Sequence, residues 1–278
     1  MRKNKVLNYV EDVLENTPLD WLKLTTHRLD IYDESLAKTQ FIDRFEDLYK
    51  DNDSSTSALS KLPTAFDYIR LGHPLSSVLE WAIAHLHRLK PEEVISFSSQ
   101  TMPILAVLRK NLFENKNTQI TYTDELPEYF DFEALRQVYG YNFELNQVDS
   151  VDHIPDFKGS TVYISQEDNI GEAILSPTID FFVTIHPGLG SIILVNGEQN
   201  DSYISEIQHV RRRESIAMTP ADSFSALQRL IGKSPSVHVK SNKETNKASA
   251  VESIQKITAT KSNVLLGSCG LSVQYAIM

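Results

Sequence analysis

Five short segments of the chain carry residue types that could do chemistry. Ser98-Ser99-Gln100-Thr101 stands between the apolar run Val94-Ile95-Ser96-Phe97, which reads as a strand, and a helix predicted over Ile104 to Leu112. Loops at the carboxyl ends of parallel strands form the ligand crevice of open α/β sheets, and helix N-terminal N–H groups attract anions. Hydroxyls at Ser98, Ser99 and Thr101 therefore suit a phosphate or carboxylate, although helix capping alone would also explain them. His186-Pro187-Gly188-Leu189-Gly190-Ser191 joins two further apolar runs. Gly188 and Gly190 would let backbone approach a ligand closely, with His186 and Ser191 beside them. The spacing is that of neither a dinucleotide nor a Walker phosphate loop. An ordinary turn with a solvated His is the plainer alternative.

Glu167-Asp168 pairs two carboxylates just after the apolar run Thr161-Val162-Tyr163-Ile164, where a catalytic base could sit; a solvated acidic turn is the alternative. Arg211-Arg212-Arg213 follows His209 and could clamp an anion, while short basic runs are commonly solvated surface. Gly267-Ser268-Cys269-Gly270 combines the only thiol with two glycines, so a nucleophile or a ligand contact is conceivable at Ser268, Cys269 and Gly270. No neighbouring His or Asp supports catalysis there, and a small buried Cys is the competing reading. The eight His residues lack metal-ligand spacing. His85 and His87, two apart on one helix, cannot share a face, so no metal site is expected.

The elements that must position these segments divide the chain in two. Val6, Val10, Val13 and Leu14, then Trp21, Leu22 and Leu24, then Phe41, Phe45, Leu48 and Tyr49 recur at helical spacing, and Pro74 opens a helix with Val78, Leu79, Ala82, Ile83 and Leu86 on one face. Residues 1–90 thus read as a helical N-terminal extension and 91–278 as an α/β domain. From Val94 onward, strands predicted at 94–97, 119–123, 142–145 and 161–164 alternate with helices, which argues for a three-layer, Rossmann-like sheet. Strands are further expected at 179–184, 191–195 and 215–218, with Asn196-Gly197 as a hairpin-type turn. Thr219-Pro220 caps and opens a helix over 223–231. Residues 233–250 read as an exposed loop, and 263–278 as strand, tight turn and strand.

Acidic residues exceed basic ones by 37 to 27, for a formal net charge of -10, which opposes binding to nucleic acid or to anionic membranes. No run approaches the length of a membrane span. With a single Cys the chain can form no internal disulfide and can hold no iron–sulfur cluster of its own, so no cofactor is expected on this chain, and the thiol fits a cytoplasmic setting.

Taken together, the second half resembles the lactate-utilization (LUD) domain family. Ile179-Asp180-Phe181-Phe182-Val183-Thr184, Gly190-Ser191-Ile192-Ile193-Leu194-Val195 and Asn196-Gly197-Glu198-Gln199-Asn200 are similar in order to its Ala-Asp strand, its Glu-Thr-Gly turn with the apolar strand that follows, and its Gly/Asn turn. His209 to Met218, followed by Thr219-Pro220, resembles a later strand and helix, and Val264 to Gly270 with Val273 to Ile277 resembles the terminal turn and final strand. The βα units from Val94 to Val148 fit the wider superfamily of ribose-5-phosphate isomerase and the CoA transferases, so the resemblance covers about two thirds of the chain. Departures are also plain: the family's turn Glu is absent from His186 to Gly190, its terminal His is Cys269 and the following Pro is Leu271.

The resemblance implies an isomerase/CoA-transferase-like α/β fold and a component of an oxidative lactate-to-pyruvate utilization system. Iron–sulfur clusters would then sit on redox partner subunits. A small carboxylate or phosphate would bind where Ser98 to Thr101, His186 to Ser191 and Ser268 to Gly270 meet. Two other functions stand beside it. One is an isomerase or CoA-transferase-type enzyme acting on small phosphorylated or carboxylated substrates, with Glu167 or Asp168 as base. The other is a noncatalytic ligand-binding or regulatory module whose helical block makes a partner interface.

Overall fold

Apolar runs buried on both faces can only be interior strands, and their crossovers decide which way they run. In the computed structural model, residues 4–23, 34–63, 70–127, 129–166, 169–234, 243–267, 273–274 and 277 are described. In chain order they form α1 (Lys5–Glu15), α2 (Glu34–Asp51), the single turn α3 (Thr56–Leu59), α4 (Pro74–His87), β1 (Val94–Phe97), α5 (Met102–Glu114), β2 (Thr118–Tyr122), α6 (Phe132–Tyr139), β3 (Phe143–Gln147), β4 (Ser160–Ser165), β5 (Phe181–His186), β6 (Gly190–Val195), α7 (Asp201–Glu214), α8 (Pro220–Leu230) and α9 (Lys243–Thr258).

The strands make one mixed sheet in the order β1-β6-β5-β4-β2-β3. Neighbours from β5 through β4 and β2 to β3 are parallel, whereas β6 runs antiparallel to both β5 and β1. The reversal follows from chain length: Pro187, Gly188 and Leu189 alone join β5 to β6, too few for a crossover. β1 is left at one edge and β3 at the other.

Alternation along each strand sends side chains to two cores. Ile193 and Val195 of β6 join Ile104, Val107, Ile207 and Val210 from α5 and α7, while Ile192 and Leu194 join Val10, Phe45, Trp81 and Leu227 from α1, α2, α4 and α8. Helices therefore cover both faces of the sheet. From Pro74 to Ala84 every residue of α4 is buried, so this helix shares a core with the strands. Trp81 packs edge-on against Phe45 at 4.9 Å between ring centroids.

Several expected elements fold otherwise. Residues 209–218 are not a strand: Tyr203, Ile207 and Val210 recur at helical spacing and form the buried stripe of α7. Asn196-Gly197 leads into that helix instead of turning a hairpin. Residues 215–218 run irregularly, although the Ser98 N–H reaches the Ile216 carbonyl at 3.1 Å. Residues 243–250, expected in a loop, belong to α9. The closing strand is absent from Asn263 to Gly267, where Leu265 and Leu266 are exposed, and Val273-Gln274 is helical. Among the described residues no helix is long and apolar enough to cross a membrane.

Candidate functional site

At the carboxyl ends of the parallel strands the sheet does bring two of the expected segments together. Ser98, Ser99 and Thr101 follow β1, His186 ends β5, and Gly190 and Ser191 begin β6. The buried Ser191 hydroxyl donates to the Ser99 carbonyl at 2.6 Å, and Gln100 reaches from the His186 carbonyl to the Tyr129 hydroxyl. Gly190 is required at its place: φ is +134°, and a Cβ would lie 2.0 Å from the Phe97 carbonyl oxygen. Ser99 caps α5, accepting from the N–H groups of Thr101 and Met102 at 3.3 and 3.2 Å. Pro103 brings no N–H, so the donors that an anion would meet at this helix terminus are already engaged or missing. Gly188, at the exposed tip of the turn, has φ +80° and open space around it. Glu167, Asp168, Ser268, Cys269 and Gly270 lie outside the described residues. Among the described residues no group of three or more His, Cys, Asp or Glu is placed to hold a metal ion.

A second polar site lies along the outer edge of β1. As the edge strand, β1 has no sheet partner for the backbone groups of Val94 and Ser96, and buried side chains take that role. Glu80 of α4 accepts from the Ser96 N–H at 2.9 Å and from its hydroxyl at 2.8 Å. Lys38 of α2 pairs with Glu80 and donates to the carbonyls of Pro91 at 3.0 Å and Val94 at 3.4 Å. Arg211 of α7 donates through Nη1 to Glu80 at 2.8 Å and to the Ser96 carbonyl at 3.0 Å, and through Nη2 to the Leu71 carbonyl at 2.7 Å. Its Nε–H is buried without a hydrogen-bond partner. Glu80 and Arg211 are only 1% and 2% exposed, so the cluster is withdrawn from bulk solvent.

The electrostatics follow from that packing. Burial pushes the Glu80 carboxyl up, but the Lys38 and Arg211 charges, with hydrogen bonds from Lys38 and Ser96, outweigh it and hold the group at about 2. Burial pushes the Lys38 ammonium down, opposed by Glu80. Nearby, His73 caps α4: its Nδ1 accepts from the Ser76 N–H at 3.2 Å and its Nε2 lies 2.7 Å from the Met218 carbonyl, so Nε2 carries the proton. Burial first, offset in part by the Met218 contact, lowers His73 to about 4, and the ring is neutral at pH 7.

Beside this cluster opens a cavity of about 490 Å³ between α2, the Lys90–Glu92 segment and α7, lined by Lys38, Lys90, Asp201, Gln208, His209 and Arg211 among others. Lys90, at the mouth, sits 3.7 Å from Asp201. Of the basic run weighed from the sequence, Arg211 and the preceding His209 face this cavity, while Arg213 is exposed. Lys38 and Glu80 escaped the sequence reading. One signal was present: Glu80 interrupts Val78-Leu79 and Trp81-Ala82-Ile83 on a helix otherwise buried along its length.

No family model and no curated protein matches the chain. Among solved structures it is similar to cystathionine gamma-lyase from Lactobacillus plantarum complexed with L-serine, at 10% identity over 88% of this chain and 69% of that one, with a TM-score of 0.43. It is likewise similar to metB from Corynebacterium glutamicum, at 11% identity over 93% and 70%, with a TM-score of 0.44. No activity is carried across at these values. The lactate-utilization resemblance is not supported by any family model. The segments that suggested that family also fold differently, with 209–214 helical and 263–267 outside the sheet. The lactate-utilization resemblance, its isomerase/CoA-transferase-like placement and the functions drawn from them are therefore corrected.

Proposed function

We propose that this chain binds a small anion in the cavity beside β1, with Arg211 as the principal donor. The observation that carries the reading is a buried guanidinium that lines a cavity and keeps an N–H without a partner. Buried polar groups are ordinarily satisfied, and an orphaned donor in a charged side chain is costly to maintain in an empty fold. Lys38, Lys90 and Arg211 bring three cations to the cavity wall, where Glu92 and Asp201 also lie.

The test is a thermal melt of the full chain in increasing sodium acetate or inorganic phosphate, with ionic strength held constant by chloride. A ligand that binds only the folded state raises Tm saturably. At least one of the two anions is expected to do so. Ser205→Trp, on the exposed face of α7 where Ser205 lines the cavity, should abolish the rise without touching the buried cluster. No saturable rise with either anion, or an equal rise in Ser205→Trp, would overturn the reading.

A further inference from the structure

We infer that the chain forms a closed dimer by arm exchange, with α9 of one copy lying on an apolar patch at the ends of α5 and α6 of the other. This surface is separate from the anion cavity, so the two readings stand or fall independently. Two uncovered apolar surfaces carry the inference, and the first is α9 itself. Ala250, Val251, Ile254 and Ile257 recur at helical spacing and make one apolar face. Val251, Ile254 and Ile257 belong to neither core of the sheet, none of the described side chains of α9 is buried, and Ile257 is 82% exposed. The hydrogen bonds of Ser253, Gln255 and Thr258 all end within residues 249–262. A helix of 16 residues that includes Thr245, Asn246, Ser249, Ser253 and Thr258 is marginal without packing, so it needs a cover.

The second surface is on the body. α5 runs into β2 and α6 into β3, and these parallel neighbours begin in register at Thr118 and Phe143. Both helices lie on one face of the sheet, since Ile104 and Leu108 of α5 and Phe132 and Leu135 of α6 join the same core. Their carboxyl-terminal turns therefore lie at the same end. There Phe113 is 76% and Val138 73% exposed, and Leu112 and Tyr139 are exposed beside them. Singly exposed apolar residues are ordinary, but four at one end mark a contact surface.

Charge selects the occupant. From Asp124 to Asp156, around α6 and β3, nine acidic residues accompany the single basic residue Arg136, and Glu133, Glu144 and Asp149 among them are exposed. The arm is the opposite: from Lys240 to Lys261 five lysines stand against Glu244 and Glu252, in a chain whose formal net charge is -10. A basic helix with an apolar face thus meets an acidic rim around an apolar patch, whereas two copies of either surface would repel. Helix and patch are both uncovered in a single chain. A second copy covers both at once, and reciprocal exchange about a twofold axis closes the assembly.

Sedimentation of the full chain over a concentration series tests the exchange. A monomer–dimer equilibrium is expected, weakening at least about tenfold between about 0.05 and about 0.5 M salt. Ile257→Gln on the arm and Phe113→Gln on the patch alter exposed side chains alone, and each should weaken the dimer by at least about tenfold. An equimolar mixture of the two variants should associate more tightly than either alone, because each mixed pair keeps one intact arm and one intact patch. A monomer at every concentration, a dimer indifferent to salt or to either substitution, or a mixture no tighter than its components would overturn the exchange. An open series of larger oligomers would overturn it as well.

Discussion

The two polar regions of the sheet handle their hydrogen bonds in opposite ways. At the carboxyl ends of the strands, Ser99, Gln100, Ser191 and Tyr129 bond to one another and to nearby backbone, so two connections lock together. At the outer edge of β1, three charged side chains from three helices satisfy a strand that has no neighbour on that side, and one of them keeps an N–H without a partner. A crevice rich in hydroxyls can thus be a finished piece of structure, while a cluster of buried charge can be unfinished. The unfinished one is the better candidate for a ligand, because binding there relieves a cost already present in the fold.

The comparison is broken most severely at Glu80. Glu80→Gln keeps the shape of the side chain but leaves Lys38 and Arg211 buried without a counter-charge, and it should destabilise the chain by about 3–5 kcal/mol. A urea midpoint that did not move would show that the edge cluster contributes nothing.

Acid provides the next largest effect. His73 has its folded value lowered from 6.5 to about 4, so protons bind the unfolded chain first as pH falls. Stability present above pH 6.5 should be lost between 6.5 and about 4, by about 3 kcal/mol, and the loss should be absent in His73→Asn. A second loss, between 4.5 and about 2, belongs to Glu80 for the same reason, its folded carboxyl being depressed. Urea unfolding at stepped pH measures both. A flat profile from 7 to 4 would remove His73 from the account.

The smallest effect lies at the finished crevice. Ser191→Ala deletes the hydroxyl that reaches Ser99 and should cost about 1 kcal/mol. The rise in Tm with acetate or inorganic phosphate should stay as it is. A smaller rise would mean that the two regions are coupled and that the contrast between them is drawn too sharply.

How far each region could be read in advance follows from sequence distance. The β1, β2, β4 and β6 strands stand out as apolar runs, Thr219 and Pro220 announce α8, and the meeting of Ser98–Thr101 with His186–Ser191 follows from both lying at strand termini. The edge cluster is invisible to such patterns. Lys38 is 42 residues from Glu80 and Arg211 is 131 from it, and a charged residue in a pattern of polar and apolar positions reads as surface. The same habit hid α7, because the run Arg211-Arg212-Arg213 and the Asn196-Gly197 turn signal outweighed the spacing of Tyr203, Ile207 and Val210. Tertiary packing, which buried Arg211, half-buried Arg212 and left Arg213 exposed, was the missing information.

The way β1 ends the sheet also bears on how copies of the chain behave in a crowded solution. An exposed edge strand is a template on which another chain can add a strand, and here Lys38, Glu80 and Arg211 occupy the Val94 carbonyl and both backbone groups of Ser96, while the Val94 N–H bonds to the Pro91 carbonyl. These charges therefore act as a stopper against intermolecular pairing as well as an internal brace. Loosening any one of them is expected to show itself as aggregation through β1 before it shows as global unfolding.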